Sequence, residues 1–171
     1  MYAEIRALMA QQHGLITRRQ AISAGLSAAT VDELVRRGTW RTIRRGAYVE
    51  SAVWDALDDR TGRPLLVARA VTLTAAKAHA WSHDTAGLAL GLALLTAKNS
   101  LTHVTRPDVR GDRTTRGVKH HGAAFIEAEV EEVDGIRVLG MARSAVDVAR
   151  EHGLAHGLAP YVVPKRCPRV A

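Results

Sequence analysis

Apolar residues in the first fifty positions fall into two helical stripes followed by an imperfect alternation. Ile5, Leu8 and Met9 recur at i, i+3, i+4 within residues 2–12, and Val31, Leu34 and Val35 repeat the spacing further on. Between them Thr17 is placed to cap a short helix whose first turn carries Arg18 and Arg19, and Gly25 supplies its left-handed stop. Ser27 caps the next helix and Gly38 ends it. Trp40, Ile43 and Val49 then alternate with Arg41, Arg44 and Arg45 around a turn at Arg45-Gly46, which predicts a hairpin. Residues 13–16 form a short link, or a strand pairing with that hairpin. Helix, glycine-bearing turn, helix and hairpin is the order of a winged helix-turn-helix, whose second helix enters a major groove.

Beyond residue 50 the pattern changes. Residues 51–62 mix turn formers and acids and read as a connector with one helical turn. Leu66, Ala70 and Leu73 predict a helix over 63–79, and Ser82 caps another over 83–90. Residues 101–105 alternate as a strand, 108–117 read as a charged loop and 117–124 as a second strand. Residues 127–134 read as an acidic connector, 136–139 as a third strand and 142–152 as a helix. The expected fold class is α+β, an N-terminal winged helix-turn-helix followed by a small mixed α/β domain. Residues 1–52 form the winged domain, 53–62 a linker, 63–159 the mixed domain for partner binding or dimerisation, and 160–171 an irregular, proline-bearing tail. Ile5, Leu8, Ile16, Ile22, Leu26, Leu34, Trp40 and Val49 are expected to close the winged domain's core without help.

Charge sharpens the first half. The 171 residues carry 24 basic and 17 acidic side chains, a net charge of +7. Five of the arginines (36, 37, 41, 44, 45) lie between Leu34 and Tyr48 with no carboxylate among them. Coinciding with the helix-turn-helix pattern, they suggest a surface that tracks phosphates of double-stranded DNA. The expected DNA-binding set is Arg18, Arg19, Ser27, Ala28, Ala29, Thr30, Arg36, Arg37, Arg41, Arg44 and Arg45. The short Ala28, Ala29 and Thr30 let the backbone approach the groove, and their methyls suit thymine. Cys167, the single cysteine, excludes an internal disulfide framework and any multi-cysteine zinc site. No charged and apolar export pattern opens the chain, and the longest apolar run, residues 86–95, is too short to span a bilayer. A cytoplasmic protein without membrane association is expected.

Catalytic and metal chemistry is not expected. His79/His83 and His152/His156 have i, i+4 spacing, but Ser82 and Gly153 interrupt the helices that would align them, and no HExxH pattern is present. His120 and His121 are adjacent, so in a strand they face opposite ways. Ser82, His83 and Asp84 are triad residue types, but consecutive positions cannot form a triad. No glycine-rich phosphate loop occurs, and Glu129, Glu131 and Glu132 read as a solvated turn. No catalytic residue, metal or cofactor is expected.

Gly14, Thr17, Gln20, Ala21, Gly25, Leu26, Ser27, Gly38, Trp40, Gly46 and Tyr48 keep the spacings of a recurring motif. On these residues the chain resembles the AbiEi family of antitoxins and related actinobacterial proteins. Residues 101–107, 117–121 and 133–149 extend the resemblance, which covers roughly 12–159. It implies a bacterial DNA-binding regulator that represses its own operon and counters a nucleotidyltransferase-type toxin. A homodimer held by residues 63–159 is a separate expectation, not part of the resemblance. Longer relatives continue into a domain similar to very-short-patch repair endonucleases. Here the similarity fades after residues 151–159, which implies a shortened member without nuclease activity. Two alternatives stay open: a truncated, inactive relative of the nuclease-associated proteins, and an interaction module whose winged fold binds a toxin rather than DNA.

Overall fold

The computed structural model describes residues 2–95 and 101–162. The chain divides after Ala76 into two compact units. The first contains α1 (Tyr2–Gln11), β1 (Leu15–Thr17), α2 (Arg18–Ser23), α3 (Ala28–Arg36), β2 (Trp40–Arg44), β3 (Ala47–Glu50), α4 (Ser51–Ala56) and α5 (Gly62–Thr74). The link before α2 is a strand, and β1, β3 and β2 form an antiparallel sheet in that order. Thr17 ends β1 and caps α2. Its hydroxyl accepts from the Gln20 N–H at 3.2 Å, while the Gln20 side chain accepts from the Thr17 N–H at 2.9 Å. This reciprocal pair satisfies two amides that the helix start would otherwise leave unpaired.

Alternation along the strands buries both faces of this sheet. Ile16 and Tyr48 point to one side, where Ile5, Met9, Ala21, Leu26, Val31 and Trp40 pack with them. Leu15, Ala47 and Val49 point to the other and are covered by Leu66 and Ala70 of α5, with Val53, Trp54 and Leu57 alongside. Residues 1–52 therefore hold one of these two cores, and α5 completes the other. Ile22, expected inside, is 44% exposed. The expected connector contains α4, and the helix expected to run to residue 79 stops at Thr74. Residues 63–76 thus belong to the first unit rather than to a second domain.

The second unit is built on a mixed six-stranded sheet. Its strands are β4 (Ala80–Trp81), β5 (Thr102–Arg106), β6 (Arg113–Thr115), β7 (Val118–Gly122), β8 (Val130–Val133) and β9 (Ile136–Leu139), in the order β6-β7-β5-β4-β9-β8. The β5–β7 and β4–β9 pairs are parallel and the rest antiparallel. Helix α6 (His83–Ala89) packs on β5 and on α7 (Met141–His152), and α8 (Leu154–Val162) packs on α7. Gly157 permits that last approach, because a Cβ there would stand 2.4 Å from the Ala149 methyl carbon. Trp81, Val104, Val138, Leu139 and Val148 are all but fully buried.

Three expectations fail in this unit. β6 lies inside the expected charged loop, and β8 inside the expected acidic connector, where Asp134 and Gly135 turn the chain at φ 50° and 74°. Both strands carry polar side chains, so no apolar alternation marks them. β4 is too short to show a period. Helix α8 takes in residues 160–162 of the expected irregular tail, and residues 163–171 lie outside the described residues. The architecture is α+β, a winged helix-turn-helix followed by a mixed α/β unit.

Candidate nucleic-acid interface

Helix α3 turns Val31 into the core and leaves Ala28, Ala29, Asp32 and Arg36 exposed. Its start is held by Ser27, whose hydroxyl accepts from the Thr30 N–H at 3.0 Å and shares a 2.8 Å hydrogen bond with the Thr30 hydroxyl. Ser27 and Thr30 are therefore committed to the cap. The two alanines are the side chains at this end with nothing to disengage.

Arg18 braces the motif. Its guanidinium forks onto the Asp32 carboxylate at 2.5 and 3.0 Å and reaches the Tyr48 hydroxyl and the Ala28 carbonyl, each at 3.4 Å. The bidentate contact holds the Asp32 carboxyl below its ordinary range and raises Arg18 in turn. The Arg18 N–H also donates to the Gly46 carbonyl at 2.9 Å. That bond sets the hairpin turn against the first turn of α2, so the backbone segments that carry Arg18 and Arg19 and, far along the chain, Arg45 adjoin as one basic ridge. Gly46 sits at φ 79°, a conformation that favours glycine at the turn.

The other arginines are more encumbered than the sequence suggests. Arg36 and Arg37 both donate to Glu33, one turn back on α3. Arg41 stands 3.6 Å from Asp55 and lies over the Trp54 ring at 5.6 Å. Arg44 is half-buried and engaged within the molecule. Arg19 and Arg45 are exposed and have no partner among the described residues. Seven arginines (18, 19, 36, 37, 41, 44, 45) meet three carboxylates (32, 33, 55), a surplus of four positive charges. The Glu33 pairing was readable from its i, i+3 and i+4 spacing to Arg36 and Arg37. Asp55 was not, since its approach depends on α4, which the sequence pattern did not resolve.

A second polar group lies inside the C-terminal unit. His83 at the start of α6, His103 on β5 and His121 on β7 are all buried, and their ligating nitrogens lie within 4.8 Å of one another. His103 Nδ1 is 3.0 Å from His121 Nε2, and His121 Nδ1 is 2.9 Å from Asp112. Asp84 approaches His103 Nε2 at 3.8 Å and bonds His152 at 2.6 Å. Burial, then the neighbouring imidazoles, push the His83 ring far below its ordinary range, to about 2. Burial likewise lowers His103, against the pull of Asp84. Spacing in the sequence could not assemble this group, because its members come from two neighbouring strands and from the helix packed on them.

Residues 3–51 match the family model described as transcriptional regulator, AbiEi antitoxin. The matched stretch runs from α1 through β3, the elements that carry the arginine ridge. No curated protein matches the chain. Among the described residues no helix is long and apolar enough to cross a membrane.

Proposed function

We propose that the first unit binds double-stranded DNA as a transcriptional regulator, with α3 in the major groove and the hairpin turn on the adjoining backbone. The observation that carries this reading is the ridge formed by Arg19 and Arg45, made continuous with α3 by the Arg18 brace. Short Ala28 and Ala29 at the exposed start of α3 allow its backbone to approach base edges. The match of residues 3–51 to the regulator family supports the same assignment. Arg19 and Arg45 supply mobile phosphate contacts, Arg18 positions α3, and Arg36, Arg37 and Arg41 contribute charge already shared with carboxylates. Ser27 and Thr30 act through the helix cap rather than on bases.

The finer reading is an antitoxin-like repressor of its own operon, working in the cytoplasm. In it the second unit binds a partner, either a nucleotidyltransferase-type toxin or a second copy of the chain. Helix-turn-helix proteins reach operator affinity by joining two half-sites in a dimer. The exposed Met141, Val146, Leu154 and Leu158 of α7 and α8 offer apolar surface for such a contact. Footprinting of the full chain on the promoter of its own gene tests this reading, alongside its mass in solution. A protected palindrome and a dimeric mass are expected; protection no different from that on random duplex contradicts the repressor role.

A further inference from the structure

The histidine group lies within the second unit, and its geometry has a chemistry of its own. We propose that His83, His103 and His121 form a binding site for one divalent transition-metal ion, zinc before others. Each residue offers one imidazole nitrogen, and those nitrogens already converge to within 4.8 Å. Two nitrogens bound to a tetrahedral zinc at about 2.0–2.1 Å stand roughly 3.4 Å apart. His103 Nδ1 and His121 Nε2 are 3.0 Å apart, so they need only a few tenths of an ångström to admit the ion.

The surroundings match what such ligands require. Histidines that bind metals usually give their second nitrogen to a carboxylate or another oxygen, which fixes the tautomer and the ring orientation. His121 does so through Asp112 at 2.9 Å. Asp84 Oδ2 stands 3.8 Å from His103 Nε2 while bonded to His152, and the carboxylate's other oxygen, Oδ1, is buried without a hydrogen-bond partner. His83 turns its Nδ1 to the Ser82 hydroxyl at 3.0 Å, leaving Nε2 for the ion. The backbone at His83 is held at φ 50°, a left-handed conformation that a buried non-glycine residue adopts only when its surroundings impose it.

Without metal, the rings are satisfied by one another. With Asp112 taking the Nδ1 proton of His121, the His103 Nδ1–H donates to His121 Nε2, and His83 stacks on His121 at 3.6 Å between centroids. Coordination replaces that N–H···N bond. The His103 proton moves from Nδ1 to Nε2, which faces the Asp84 carboxylate through Oδ2 at 3.8 Å, and no net proton is released. His83 swings off its stack so that its in-plane lone pair reaches the ion. Three neutral imidazoles without a carboxylate in the set favour zinc, cobalt, nickel or copper over magnesium or calcium. The ion would tie the start of α6 to β5 and β7, a structural role inside the second unit.

The test uses the full chain, stripped with a chelator and titrated with cobalt(II) and then zinc(II), read by absorption and by metal content. One equivalent of cobalt with a visible d–d band, displaced by one equivalent of zinc, is expected, together with a rise in melting temperature. H121Q should abolish the band. D112N changes an exposed residue outside the ligand set and should weaken binding about 10- to 100-fold while leaving the fold intact. Less than half an equivalent bound by the wild-type chain overturns the proposal. So does full binding by a folded H121Q, which would place the ion elsewhere. If H121Q does not fold, D112N decides: unchanged affinity there overturns the proposal as well.

Discussion

Arg18 and Asp32 lie fourteen residues apart, and their contact ties the start of α2 to α3, which no run of neighbouring charges does. The carboxylate is lowered because the guanidinium favours its charged form, so the pair's contribution to stability is complete above the unfolded value of about 3.9. It fades as pH falls through the lower folded midpoint. An NMR titration should find the Asp32 carboxyl midpoint below the ordinary value, and Arg18→Ala should return it there. A midpoint that does not move in that variant would remove the brace. Arg19 and Arg45 make a separate prediction, since neither must break an internal contact to reach a phosphate. Alanine at either position should flatten the slope of log K against log salt by about 0.9. Arg41→Ala should do less, because Asp55 already shares its charge. At this scale the basic character was legible in the sequence, while its distribution was not. Which arginines are held and which are available depends on Asp32, Glu33 and Asp55, and only the Glu33 pairing follows from local spacing.

Helix starts were the most readable elements. Thr17, Gln20 and Ser27 announce α2 and α3 by residue type and offset, and the hydrogen bonds are those that such capping requires. Thr17→Ala should cost about 0.5–2 kcal/mol of the first unit's stability, read from a chemical melt. What the pattern could not show is the second face of the sheet. Leu15 and Val49 alternate with Ile16 and Tyr48, but nothing within residues 1–52 says what covers them. The answer is α5, through Leu66 and Ala70. A fragment of residues 1–52 should therefore fail to melt cooperatively, whereas 1–76 should do so. Leu66→Ala in the full chain should cost about 2–5 kcal/mol, as a buried leucine lost from a core does. A cooperative melt for 1–52 matching that of 1–76 would show that α5 is dispensable. In the second unit β6 and β8 were hidden for a different reason: polar edge strands pair through their backbones and leave little trace in side-chain hydropathy.

Over the whole molecule, the net charge of +7 is concentrated in part as the four-charge surplus on the winged face. That surplus meets DNA phosphates through the Arg19 and Arg45 ridge if the first unit is a DNA-binding module. Fluorescence anisotropy of the full chain on a promoter duplex, repeated across a range of salt concentrations, tests this most directly. About four neutralised phosphates give a slope near −3.6, and Arg19→Ala combined with Arg45→Ala should flatten it by about 1.8. Absence of binding at low salt, or a slope that the double variant leaves unchanged, would contradict DNA binding through this ridge.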